Sequence, residues 1–225
     1  MMNKTLRLLL LACLLLMSLS SLALAQAQDE EEDWVLFEDE SGLFTVEHPS
    51  DWFALGDEEV PGITLSNDEA LLDPAAADQE AESGQIRIQA AFFPTDFLAL
   101  MGVALDDESL SEADKLTLIT QTLMTNAQDP NSTPDPESGD PVFGEAFELE
   151  LEDETLLALI PVTQESNNAE GYFTAFEVAE GIYVIANIGA FTDEMTDETR
   201  DLAIEILKSI EFTGTVEDLM AAYGL

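Results

Sequence analysis

Two segments of this chain, Leu156 to Val162 and Ile182 to Ile188, are apolar on both faces of an extended strand. A strand with one wet face alternates apolar and polar side chains, so segments like these need cover on two sides. Three neighbours do alternate: Leu43 to Glu47, Ile86 to Phe92 and Phe147 to Leu151, the last with Glu148, Glu150 and Glu152 toward water. Trp34 to Phe37 and Gly62 to Leu65 complete the expected strands. His48-Pro49-Ser50-Asp51 is expected to stop the first alternating strand, with Trp52-Phe53 as an apolar anchor beside it, and Pro94 closes the strand that begins at Ile86. Tyr172 to Val178 and Ile182 to Ile188, separated by Ala179-Glu180-Gly181, form a hairpin.

Helical signals fall between and after these strands. Ser109 and Glu112 have capping-box spacing ahead of Leu116, Ile119, Leu123 and Ala127, which predicts a helix over Ser109 to Ala127. Thr196 to Ile210 places Leu202, Ala203, Ile206, Leu207 and Ile210 on one face, with Lys208 near its C-terminal end. Thr215-Val216-Glu217-Asp218 caps a short final helix. Residues 67–84 read as a long exposed loop, and 129–141, with four prolines, as a second loop within one domain. Short connections favour antiparallel pairing, and two-sided burial needs helices on both faces. The expectation is an α+β fold, a mainly antiparallel sheet in an α/β/α sandwich over residues 34–213, followed by a tail over 214–225.

The first 25 residues have the order of a secretory signal peptide: Lys4 and Arg7, an apolar run from Leu8 to Met17, then Ser18-Leu19-Ser20-Ser21 and Ala23-Leu24-Ala25. Cleavage is expected after Ala25, with Ala27 as the alternative. The apolar core is shorter than the ~20 residues that span a bilayer, which disfavours an anchor. Leu10-Leu11-Ala12-Cys13 has the look of a lipobox, but Leu14-Leu15-Leu16 follows, so lipidation at Cys13 would strand half of the apolar run. Export to a periplasm or beyond the cell follows, with an acidic leader over 26–33 that has too little apolar content to fold. Cys13 is the only cysteine, so the mature chain relies on its core without disulfides.

The chain has 48 acidic and 6 basic residues, a formal net charge of −42. Without Lys4 and Arg7, four cations remain, Arg87, Lys115, Arg200 and Lys208, against the same 48 acids, or −44. Nucleic acid and anionic membranes are excluded as partners, because both are bound by Lys and Arg clusters. Like charge also favours a monomer, and a salty medium screens its self-repulsion.

No constellation in the sequence carries catalysis. His48 is the only histidine and precedes Pro49, where it reads as a turn residue rather than a general base. There is no Gly-x-Ser-x-Gly elbow and no phosphate-binding glycine loop. One histidine cannot build a zinc site. The acidic clusters Asp29-Glu30-Glu31-Glu32-Asp33 and Asp106-Asp107-Glu108 permit at most weak, diffuse calcium binding, and Asp129 to Pro134 has Pro134 where a calcium loop needs its turn glycine. Trp34, Trp52 and Tyr172 offer aromatic surface for a groove, but at strand positions they are expected to serve as core or cross-strand packing. No catalytic, cofactor-binding or metal-ligating residue is nominated, and no cofactor is expected.

Gly42-Leu43-Phe44-Thr45-Val46-Glu47-His48-Pro49-Ser50-Asp51-Trp52 resembles the opening of PsbP-like domains, which include extrinsic photosystem II subunits and exported bacterial proteins. The closing hairpin and the helix ending Leu207-Lys208-Ser209-Ile210-Glu211-Phe212 are similar to that family's C-terminal end. The resemblance implies an antiparallel sheet flanked by helices and a non-catalytic binding or assembly role, with no shared catalytic residues. The acidity here departs from the basic surfaces of photosystem subunits. The function expected is an exported, non-enzymatic binding module of the cell envelope, its partner a protein or other envelope component. The alternatives are a secreted hydrolase using two carboxylates and a calcium-binding surface protein.

If charge repulsion opposes folding, the melting temperature rises as sodium chloride is raised from tens of millimolar to molar, as the Debye length shrinks from about 30 Å to about 3 Å. A melting temperature that falls with salt, by calorimetry, contradicts this.

Overall fold

A computed structural model describes residues 33–57, 60–73, 82–103, 105, 109–127, 141–151 and 156–224. The segment expected to be a signal peptide, most of the expected acidic leader, the proline-containing loop up to Asp140 and the Asp106-Asp107-Glu108 cluster lie outside the described residues. In chain order the strands are β1 (Trp34–Glu38), β2 (Phe44–Pro49), β3 (Phe53–Gly56), β4 (Gly62–Ser66), β5 (Ile86–Pro94), β6 (Val142–Phe143), β7 (Phe147–Glu150), β8 (Leu156–Gln164), β9 (Ala169–Ala179), β10 (Ile182–Phe191) and β11 (Glu211–Phe212). The helices are α1 (Thr95–Leu100), α2 (Glu112–Ala127), α3 (Asp197–Lys208) and α4 (Val216–Ala222).

Eight strands form the main sheet in the order β3-β4-β5-β10-β9-β8-β6, with β7 also paired to β8. Every pairing among the described residues is antiparallel. The β9–β10 hairpin turns at Gly181, whose φ of +77° suits a residue without a Cβ, and the Gly181 amide donates to Glu177 Oε1 at 2.8 Å.

The two faces of β10 feed separate clusters. On one face Val184, Ala186 and Ile188 pack with Ile88 and Phe92 of β5, Ala203, Ile206 and Leu207 of α3, and Phe44 and Val46 of β2. The Phe44 and Phe92 ring centroids are 4.5 Å apart. On the other face Tyr183 and Ile185 pack with Ala158, Ile160 and Ala175, under Leu116 and Ile119 of α2 and Leu98 of α1. Helices therefore cover both faces of a mainly antiparallel sheet, the α+β class expected from the apolar strands.

Several local expectations are corrected. The helix expected from Ser109 begins at Glu112, because Ser111 is the capping residue: its Oγ accepts from the Asp114 amide at 3.1 Å and donates to Asp114 Oδ2 at 2.8 Å. The stop expected at His48 comes later, since β2 continues through Pro49, opposite Trp34. Pro49 is tolerated because no neighbour needs its missing N–H: β11 pairs only with Phe44 and Thr45. Where β11 has ended, Ser209 Oγ donates to the Glu47 carbonyl at 3.0 Å and accepts from the Glu47 amide at 2.9 Å. The loop after Ser66 contains a 3-10 turn over Glu69–Leu72, and Glu194 accepts from Ser83 Oγ at 2.5 Å and the Gly84 amide at 2.6 Å.

Two further differences concern layers. The strands β1, β2 and β11 form a separate three-stranded sheet in the order β1-β2-β11. The face of the main sheet that packs on α3 is thus covered by a small sheet as well as by helices. The closing segment forms the short capped helix expected at Thr215–Asp218, α4, but packs as part of the fold and not as a tail: it buries Leu219 and ties Tyr223 Oη to the Phe92 carbonyl at 2.6 Å. The two-sided burial expected along both central strands is confined to their shared end. Leu156 and Asn187 are exposed, whereas Leu157 to Ile160 and Ile182 to Ala186 are buried.

Phe92 is fully buried between the two sheets. Phe92→Ala is expected to cost about 3–5 kcal/mol, whereas the exposed Asn187→Ala stays within about 0.5 kcal/mol of wild type. Equal losses in urea denaturation would contradict this placement of the core.

Candidate binding site

At the end of the sheet where β8 and β10 begin and β9 finishes, the two faces meet in a cleft of about 500 Å³. Leu156, Leu157 and Phe176 come from the strands, Ile204 and Leu207 from α3. Around this apolar lining stand Glu112 and Lys115 from the first turn of α2, Glu177 and Tyr183 from the hairpin, and Lys208 from the last turn of α3. Local chemistry sets these positions. The Ser111 cap starts α2 so that Glu112 lies in its first turn, where a carboxylate suits the helix dipole, and Glu148 Oε1 of β7 accepts from the Ala113 amide at 3.3 Å. Lys208 lies in the last turn of α3, where a cation is favoured for the same reason.

Lys115 Nζ and Glu112 Oε1 are 2.7 Å apart. That hydrogen bond, opposed in part by desolvation, holds the Lys115 ammonium above the usual lysine range; Tyr183 and Glu177 add to the rise. Burial pushes the Tyr183 phenol up, Lys115 offsets part of this, and Glu177 and Glu112 reinforce it. At neutral pH Lys115 is therefore an ammonium and Tyr183 a phenol. Neither is a general base, which has to be deprotonated before it can take a proton. Both donate hydrogen bonds, so the cleft offers an apolar lining beneath hydrogen-bond donors and cations.

A second opening of about 490 Å³ adjoins it, sharing Leu151, Ile204 and Lys208 and adding Arg200. Arg200 bridges Asp197 and Asp201, each at 2.8 Å. Three of the four cations beyond the N-terminal segment thus border two adjoining openings. No motif spacing pointed to this, because Lys115 belongs to one helix and Arg200 and Lys208 to another. The available signal was scarcity: with so few cations, each one marks its position.

The other residues weighed from sequence are not brought together here. His48 is buried in β2 with Nδ1 2.9 Å from the Pro49 carbonyl oxygen, and it does not line the cleft. Trp52 is buried in the core, Trp34 packs against it, and Tyr172 meets Phe147 edge-on at 6.2 Å. The carboxylate-pair alternative needs an acid shielded from water and held protonated. Among the described residues no Asp or Glu is buried. Those with displaced ionisation move the other way: Asp68 is lowered by Gln85 and the Ala70 amide, Glu194 by the Gly84 amide and Ser83, and Asp218 by Thr215. This counts against the hydrolase reading. Among the described residues no group of three His, Cys, Asp or Glu is placed to hold a metal ion, and no helix is long and apolar enough to cross a membrane.

No protein-family model matches the chain, and no curated protein does. Among solved structures it is similar to the solution structure of cyanobacterial PsbP (CyanoP) from Synechocystis sp. PCC 6803, with a TM-score of 0.44 and 13% identity over 83% of this chain and 96% of that one.

Replacing Glu112 by Gln removes the carboxylate charge and leaves Lys115 only a neutral acceptor. The Lys115 pKa is expected to fall toward the ordinary lysine value in a titration followed by NMR of labelled lysine. An unchanged titration would show that Glu112 does not set it.

Proposed function

We propose that this chain is an exported, strongly acidic, non-catalytic binding or assembly module of the cell envelope. The signal-peptide pattern supports export, and the net charge of −42 argues against nucleic acid and anionic lipid as ligands. The observation that carries the binding reading is the cleft between α2 and α3, where Lys115 and Tyr183 are held in their hydrogen-donating forms beside an apolar lining. A partner that inserts an apolar group and presents acceptors to Lys115 and Lys208 suits this arrangement, and a protein component of the envelope is the class favoured.

The test is affinity capture from a solubilised envelope fraction with the mature protein as bait, at low and at high salt. A defined partner is expected, and the Lys115→Glu/Lys208→Glu double variant is expected to lose it while keeping the wild-type melting temperature. Absence of any captured partner at both salt concentrations, or capture indifferent to the double variant, would sink the proposal.

A further inference from the structure

Away from the cleft, one face of the main sheet carries a row of uncharged side chains, part of it exposed. Residues directly opposite each other in antiparallel strands share a face. The registers therefore define a row that crosses five strands: Leu55 of β3, Thr64 of β4, Gln89 of β5, Asn187 of β10 and Phe173 of β9. The row beside it runs Phe53, Ser66, Arg87, Gly189 and Gly171. This is the face that α2 covers elsewhere, but α2 packs on β7, β8 and β9; Leu55 and Asn187 of the first row are exposed, whereas Ser66 and Gly171 of the second are buried. A concavity of about 340 Å³ lies over the first row and is lined by Thr64, Gln89, Asn187 and Phe173, together with Asp57. A Cβ added at Gly189 would meet nothing within 4 Å, so there is room above that one position of the second row.

The composition of this face sets it apart. Asp and Glu supply more than one residue in five of the chain, yet neither row contains one. A sheet face that simply met solvent would be expected to carry the same acids as the rest of this surface, as the exposed Glu148 and Glu150 of β7 do. Thr64, Gln89 and Asn187 stand side by side instead, and none of their side chains makes a hydrogen bond among the described residues. Each can both donate and accept. Phe173 and the exposed Phe53 and Leu55 bound the rows with apolar surface. Arg87 is the one charged residue in them, and the charge of Asp73 acts on it.

We infer that this face binds a neutral oligosaccharide. A sugar hydroxyl donates and accepts at once, as amide and hydroxyl side chains do, and the C–H faces of sugar rings pack on aromatic and aliphatic surface. An anionic ligand would meet the repulsion of the whole molecule, and a cationic one would find a single carboxylate, Asp57, in the lining. From β3 to β9 there are four strand spacings, about 19 Å in all, a length that suits several sugar units laid across the strands. The site is distinct from the cleft between α2 and α3 and does not depend on it.

The purified exported protein is titrated by calorimetry with cellohexaose, laminarihexaose, maltohexaose and chitohexaose. Saturable binding of at least one is expected, and Gln89→Ala/Asn187→Ala is expected to weaken it by about tenfold or more, the scale of losing one to two hydrogen bonds. Asn187→Asp, which keeps the shape but removes the amide donor and adds an acid, is expected to weaken it as well. Lys115→Met in the cleft is expected to leave it unchanged. Calorimetric melting of each variant separates lost binding from lost folding. No binding of any of the four sugars at millimolar concentration overturns the inference. So does binding that the face variants leave intact, or capture of the envelope protein partner that is lost with the face variants instead of with the cleft variants.

Discussion

Strand β10 pairs with β5 on one side and β9 on the other, and its side chains alternate into two apolar clusters that share no buried residue. Ile182 to Ala186 are buried without a break, so this end of the strand is stable only if both faces are covered. The rest of the architecture answers that demand. On one face the cover is α3, α4 and the small sheet. On the other it is α2 and α1. With no cysteine beyond the N-terminal segment, the fold depends on this double burial rather than on cross-links.

Charge is the opposing constraint. A net charge of −42 pushes the compact state apart, and the structure responds by keeping every described Asp and Glu out of the core. Many of these acids are put to local use. Asp68, Asp114 and Asp218 stabilise helix or turn starts, and Glu194 ties the loop at Ser83 and Gly84 to the segment before α3. The few cations are spent in the same economical way, as short-range partners on α2 and α3 beside the cleft.

Much of the secondary structure was legible in the chain because it rests on local periodicity. The alternation of Ile86 to Phe92 and the spacing of Ala203, Ile206 and Leu207 report which side chains share a face, whatever the partner turns out to be. The boundaries were less legible where two adjacent residues compete for one role. Ser109–Glu112 and Ser111–Asp114 both have capping-box spacing, and only the approach of Glu148 to the Ala113 amide and the packing of α2 on β8 accompany the second. Pro49 was read as a strand terminator, correctly for a central strand, but β11 is too short to reach it.

From sequence alone came the class of fold, the absence of any intrachain disulfide and the excess of negative charge, since each depends on composition or on residues a few positions apart. Tertiary structure decided which residues meet. The cleft joins Lys115 to Lys208 across 93 positions, and the polar row joins Thr64, Gln89 and Asn187 through strand registers that no single segment encodes. Pairing register and the reach of a covering helix are settled by long-range packing, where the free energy of burying one apolar face depends on what lies opposite it. For the same reason the end of β10 near Asn187 is open: α2 covers β8 and β9, and the local sequence of β10 carries no record of where that cover ends.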